Sequence, residues 1–132
     1  MSGGASRMAL KVFLTILGSI ALVAGLGTVL FGVDSIVGAE PVSGTVDSEM
    51  RFYAVWYAGA GVVILRAAAR VESAGTTIRA VVVLFFVAGC SRALSWLVVG
   101  RPHTVAVALM VIELALPLVI LPWQAAVARG NS

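Results

Sequence analysis

The sequence predicts an all-α integral membrane protein, an antiparallel bundle of four transmembrane helices in one domain of 132 residues. Composition is the first reason: 61% of the residues are hydrophobic and only 11% are charged, whereas average globular proteins carry about 25% charged residues. A small soluble domain must cover a large surface with polar groups, which a chain with a mean hydropathy of +1.08 cannot do. The second reason is the arrangement of the apolar residues in four long runs joined by short polar connections.

Each apolar run is long enough to cross a membrane as a helix. Runs of 21 to 24 residues extend roughly 31–36 Å, and a hydrocarbon core is about 30 Å thick. A spanning segment must satisfy its backbone hydrogen bonds internally, so each run is predicted to be α-helical. The predicted helices span residues 8–31, 49–69, 78–99 and 105–128.

The first predicted helix, residues 8–31, is interrupted only by Lys11 near its beginning. Residues 32–48 follow as an outer loop, because turn-forming and charged residues are concentrated there, namely Asp34, Glu40, Pro41, Gly44 and Asp47. Small residues recur at every fourth position of this helix, as in Ala21-x3-Gly25. That spacing lets helix backbones approach closely. The spacing is typical of helix packing within the bundle. The alternative is a homodimer interface through the first helix.

The second predicted helix, residues 49–69, begins directly after Asp47 and Ser48. Asp47-Ser48-Glu49 therefore provides N-cap chemistry and negative charge at a helix N-terminus, where both are favoured. Arg51 points nearly opposite to Glu49 on this helix, so the two side chains require different partners. We therefore expect structural roles for Asp47 and Arg51.

The third and fourth predicted helices each contain one charge inside the apolar run. Arg92 lies about 10 Å from the end of the third helix, and Glu113 lies about 14 Å into the fourth. The short connection between them contains Pro102, which cannot continue the third helix. The two helices should therefore be antiparallel neighbours, with Arg92 and Glu113 close enough to form an ion pair.

Pro117 leaves a backbone carbonyl of the fourth helix without its hydrogen-bond donor. A proline removes its own N–H and deprives the carbonyl four residues earlier of its helical donor, and that carbonyl belongs to Glu113. Arginine has five N–H donors, so we expect that Arg92 can serve both the carboxylate and the freed carbonyl. Pro117 is accordingly assigned a structural role beside the ion pair.

Basic residues near the helix ends predict the orientation. With the N-terminus inside, six basic residues flank the cytoplasmic face and three lie in the outer half, so both termini are predicted to be cytoplasmic. The inner set is Arg7, Lys11, Arg66, Arg70, Arg79 and Arg129, and the outer set is Arg51, Arg92 and Arg101. Their scattered positions favour lipid headgroups as partners over nucleic acid.

Polar and aromatic side chains of three helices lie at a similar depth, which predicts an outer-leaflet pocket. Its predicted lining is Glu49, Tyr53, Trp56, Arg92, Ser95 and Glu113. Two alternatives remain open. The aromatic residues can belong to an interfacial belt, and Arg92 with Glu113 can form a structural clamp instead of a ligand site. Cys90 and His103 have no partners at metal-ligand spacing, so we predict no metal, no cofactor and no catalytic residue.

The segment from Asp47 to Ala54, with the sequence DSEMRFYA, resembles the domain-of-unknown-function 4345 proteins. These are small bacterial membrane proteins distantly similar to the DoxX-like four-helix group. Later residues follow in the expected order, namely Arg92, Gly100-Arg101-Pro102, Glu113 and Pro117. The resemblance covers most of the chain and implies a four-helix architecture in a bacterial inner membrane. It implies no catalytic residue.

Three functions are consistent with these residues. The favoured one is a non-enzymatic bundle that binds a small amphiphile, a lipid or a membrane-protein partner through the predicted pocket, with homo-oligomerisation also possible. The second is a proton-coupled transporter that uses Glu113, although an adjacent arginine favours the ionised carboxylate. The third, ranked last, is an enzyme that modifies a membrane lipid with Glu49 or Glu113 as acid or base.

Overall fold

The computed structural model describes residues 3–130, which form four α-helices. They are α1 (Gly3–Phe31), α2 (Gly44–Ala69), α3 (Gly75–Val99) and α4 (Thr104–Arg129), and a 3-10 turn, Gly32–Ser35, follows α1. All four helices are long and apolar enough to cross a membrane, and the described residues contain no strand. The predicted all-α fold class with four transmembrane helices is therefore confirmed, and the chain is a multi-pass membrane protein.

The helices end where the apolar runs end but begin earlier than predicted. α1, α2 and α3 end at Phe31, Ala69 and Val99, as the sequence predicts. α2 begins at Gly44, five residues before the predicted start, because polar residues extend the helix beyond its apolar part. The expectation that Asp47 is the N-cap of α2 is wrong, since Asp47 lies inside its first turn.

The described residues group into two compact units. Residues 11–69 form one unit, which contains most of α1 together with α2. Residues 70–130 form the other unit with the part of α1 before Lys11, and it contains α3 and α4. Each unit is built around one antiparallel helical hairpin.

In the α1–α2 hairpin the two backbones approach closely at small residues. Gly25 packs against Ala58, and Gly61 packs against Gly18 and Leu22. The small residues that the sequence spaces four apart are therefore used inside the hairpin, as expected for packing within the protein. At Gly61 the neighbouring atoms belong to the backbone of Leu22 and Gly18, so the two helix backbones touch there, while the side chains of Ile64 and Leu65 pack over Gly18.

Asp47 and Arg51 join the end of α1 to the beginning of α2. Arg51 Nη1 donates to the carbonyls of Val29 and Leu30, at 2.9 and 3.1 Å, and thereby satisfies acceptors that a helix C-terminus leaves unpaired. Arg51 Nε donates to Asp47 Oδ2 at 2.7 Å, and Asp47 Oδ1 accepts from the Val33 amide at 2.9 Å. Both side chains therefore bind backbone groups across the connection between the helices.

We expect Asp47→Ala to loosen this connection without unfolding the helices. The Val33 amide loses its acceptor, and loss of one hydrogen bond corresponds to about five- to tenfold faster exchange of that amide. Amide hydrogen–deuterium exchange measured on residues 30–36 tests the effect. Asp34→Ala is the matched control, because it removes a nearby carboxylate from the same turn; equal protection of the Val33 amide in wild type and Asp47→Ala would contradict the prediction.

The second unit contains the α3–α4 hairpin and two contacts from the first helical turns of α1. Trp123 Nε1 donates to Ser6 Oγ at 3.0 Å, and Arg7 forms an ion pair with Glu72 at 2.9 Å. At the other end of the hairpin, His103 Nδ1 accepts from the Val105 amide at 3.2 Å and caps α4. These bonds therefore hold both ends of the α3–α4 hairpin.

Candidate functional site

Arg92 of α3 and Glu113 of α4 form an ion pair inside the membrane-spanning part of the second unit. Arg92 Nε donates to Glu113 Oε2 at 2.9 Å. Helical side chains tilt toward the N-terminus of their own helix. In an antiparallel hairpin, Arg92 and Glu113 therefore lean toward each other, which compensates for their difference in depth.

Gly89 brings α3 and α4 together one turn before Arg92. A side chain at this position would begin 3.1 Å from Glu113 Cβ and 3.1 Å from Leu114 Cγ, so these two side chains would have to shift by a few tenths of an ångström to admit it. The close approach places the Glu113 carboxylate within reach of the Arg92 Nε. The sequence analysis did not single out Gly89, because a lone glycine in an apolar helix has many explanations.

The two charged side chains differ strongly in exposure. Only 4% of the Glu113 side chain is exposed, compared with 37% of the Arg92 side chain. Among the described residues, neither Arg92 Nη1 nor Arg92 Nη2 donates a hydrogen bond; the single bond of this side chain uses Nε. The arrangement therefore consists of a buried carboxylate that orients a guanidinium, with the two terminal nitrogens available to another molecule.

Pro117 leaves the Glu113 carbonyl without its helical donor, but Arg92 does not replace that donor. α4 runs without interruption through Pro117 and Pro122, and the Glu113 carbonyl still lacks the donor that Pro117 would have supplied. Within residues 3–130, Arg92 bonds the Glu113 carboxylate and not this carbonyl. The expectation that Arg92 serves both acceptors is therefore wrong, because the Nε–carboxylate bond directs the guanidinium to the end of the Glu113 side chain.

The four other residues of the predicted pocket are all exposed and lie on two helices. Ser95 is exposed on α3, one turn beyond Arg92. Glu49, Tyr53 and Trp56 lie on α2 in the other unit, and all three are exposed. A pocket that joins these four residues to the ion pair stays a prediction.

The aromatic residues of α2 form their own exposed cluster. The ring of Phe52 packs edge-to-face against Tyr53 and Trp56, with centroid distances of 5.4 and 6.4 Å. Tyr53 and Trp56 are 56% and 69% exposed. Exposed aromatic rings are typical of an interfacial belt, the alternative explanation of these residues, but Trp56 lies near the middle of α2 (Gly44–Ala69), so the belt stays a prediction.

Gln124 is a buried polar residue that the sequence analysis missed. It is 5% exposed, and its Nε2 donates to the Val71 carbonyl at 3.4 Å. A glutamine inside an apolar run, two residues after Pro122, was the available indication. Its partner is a backbone carbonyl of the same unit, so its contacts indicate a structural role.

The described residues offer no metal site, since residues 3–130 contain no group of three or more His, Cys, Asp or Glu side chains that could hold an ion. The prediction of no metal or cofactor stays a prediction about the protein in its membrane. What the Arg92–Glu113 pair provides chemically is a set of oriented N–H donors at a fixed depth.

Residues 9–124 match a family whose description is "Domain of unknown function (DUF4345)". The match extends from α1 into the last turns of α4 and includes the ion pair. No curated protein and no solved structure matches the chain.

Proposed function

The chain belongs to the domain-of-unknown-function 4345 family, whose description names no activity, and we propose from its site that it is a non-enzymatic membrane protein that binds an amphiphile. The proposed ligand is a lipid or lipid-like molecule, and the binding group is the Arg92 guanidinium. The proposed location is the outer leaflet of a bacterial inner membrane, with both termini in the cytoplasm, as the distribution of basic residues predicts.

The observation that supports this proposal is the exposed, unpaired end of Arg92. A charge inside a spanning segment costs at least about 2.5–3.5 kcal/mol on insertion scales. A pair that served only as a clamp would be expected to bury both partners, yet 37% of the Arg92 side chain is exposed while Glu113 is buried. An acceptor from the surrounding membrane would satisfy the terminal nitrogens, and lipids are the molecules present in that space.

We expect the double variant Arg92→Met/Glu113→Leu to lose its co-purifying amphiphile. Removal of both charges leaves no unpaired ion, so the hairpin should fold, while loss of hydrogen bonds from a charged donor should lower ligand retention by about tenfold or more. The measurement is mass spectrometry of lipids that remain bound after purification in mild detergent.

Arg101→Met is the matched control. Arg101 lies in the connection between α3 and α4 and donates to Thr104 Oγ1 at 3.3 Å. This variant removes an arginine from the same unit without touching the ion pair, so its lipid retention should equal that of wild type. Equal retention by the double variant and wild type would reject the proposed site.

A further inference from the structure

We infer that the Arg92 site selects an uncharged oxygen acceptor, the ester carbonyls of a diacyl lipid, and discriminates against free anions. This inference rests on the proposed function and specifies its ligand. It derives from the charge balance of the site, the position of the free nitrogens and the depth of Arg92 in the membrane.

The charge of Arg92 is already cancelled by its partner. Glu113 Oε2 lies 2.9 Å from Arg92 Nε, so the pair has no net charge. A bound phosphate or carboxylate would add a negative charge in a region of low dielectric constant, where an uncompensated ion is strongly disfavoured. A carbonyl oxygen accepts the same N–H groups and adds no charge.

Among its described residues, the unit that contains the pair has no other cation at the level of Arg92. Arg101 lies nine residues after Arg92 in the connection to α4 and bonds Thr104. Arg79 lies thirteen residues before Arg92, about 20 Å along α3, and its Nε bonds the Gly75 carbonyl. Neither is placed to neutralise an anion bound to the Arg92 terminal nitrogens.

The free edge of the guanidinium suits an acceptor group with two oxygens. Nη1 and Nη2 present their N–H groups side by side in one plane, and a glycerol diester carries two carbonyl oxygens close together. Arg92 lies seven residues before Val99, the last residue of α3, at a depth of about 10 Å. Ester carbonyls are the polar atoms of a diacyl lipid that lie nearest the hydrocarbon, so they can reach this depth with less distortion than a headgroup.

The test uses the full chain in nanodiscs made of dialkyl ether phosphatidylcholine, a lipid without ester carbonyls. Three probes with equal chain lengths are added separately and in competition: diacylglycerol, dialkylglycerol and dialkyl phosphatidic acid. We expect wild-type protein to retain diacylglycerol about tenfold or more above either other probe. Dialkylglycerol differs from diacylglycerol only in its carbonyls, and dialkyl phosphatidic acid presents an anion without a carbonyl.

Glu113→Gln tests the charge argument directly. This variant keeps a side chain of nearly the same size but leaves the positive charge of Arg92 uncompensated, so retention of dialkyl phosphatidic acid should rise by about tenfold or more. Unchanged retention of the anion in this variant would contradict the charge argument. Arg92→Met/Glu113→Leu, which has neither charge, should retain no probe above background.

The preference of wild type among the three probes decides the inference about carbonyl acceptors, and comparison with the double variant decides the proposed function. If wild type prefers phosphatidic acid, or retains dialkylglycerol as well as diacylglycerol, the inference about carbonyl acceptors is overturned and the amphiphile site stands. If wild type retains every probe no better than Arg92→Met/Glu113→Leu, the proposed function itself is rejected.

Discussion

Arg92→Met is expected to destabilise the protein by about 3–5 kcal/mol, because it leaves the buried carboxylate of Glu113 without its partner. Glu113 is 3% exposed, so water cannot replace the lost donor without opening of the α3–α4 hairpin. The opposite single variant, Glu113→Leu, should cost less. The guanidinium that it leaves behind is already 37% exposed, and a long arginine side chain can extend toward the membrane surface.

The double variant Arg92→Met/Glu113→Leu should recover most of the stability lost by Arg92→Met. An apolar pair of similar volume often equals or exceeds a buried ion pair in stability. The measurement is the free energy of unfolding in mixed micelles with increasing denaturing detergent, followed by far-ultraviolet circular dichroism of the helices. Additive losses in the two single variants and the double variant would mean that the pair does not act as a unit.

The positions of helices and charges were predictable to the extent that they depend on local rules. The lengths of the apolar runs predict four spanning helices and place the ends of α1, α2 and α3 at the observed residues. Antiparallel arrangement of two helices with a short connection predicts that Arg92 and Glu113 approach each other. These conclusions need only the rise of a helix and the thickness of a bilayer.

Tertiary partners were not predictable in the same way. Asp47 is a residue type that is common at N-caps. In the structure it lies in the first turn of α2, and its carboxylate accepts from the Val33 amide and from Arg51 Nε. Capping rules consider a helix by itself, and they do not include an amide fourteen residues earlier that competes for the same oxygen. The hydrogen bonds from Arg51 to the Val29 and Leu30 carbonyls could not be predicted from the sequence either.

The unequal exposure of the ion pair is the observation on which the proposed function rests, and sequence reasoning could not supply it. Both residues are single charges in apolar runs at a similar depth, and periodicity treats them alike. Their difference arises from Gly89, which draws Glu113 against the α3 backbone. The choice between a clamp and a ligand site therefore depends on packing around one glycine.

Gly61→Ala is expected to destabilise the α1–α2 hairpin by about 1–3 kcal/mol, the range found when well-packed sites are overfilled. A methyl group at this position would lie 2.5 Å from the Leu22 amide nitrogen and 2.7 Å from the Gly18 carbonyl oxygen. Both neighbours are backbone atoms of α1, so the helices must separate to admit it. Loss of the close approach also removes contacts along the remaining length of the hairpin.

Gly59→Ala is the matched control, two residues earlier on the same helix. A methyl group there has nothing within 4 Å, and alanine is a better helix former than glycine by up to about 1 kcal/mol. Opposite signs for the two variants are therefore expected in thermal unfolding followed by circular dichroism. If both variants behave alike, the cost comes from helix propensity or the membrane, and close packing of α1 on α2 at Gly61 is refuted. If Gly61→Ala changes only the oligomeric state measured in detergent, Gly61 packs between copies of the chain and not within the hairpin.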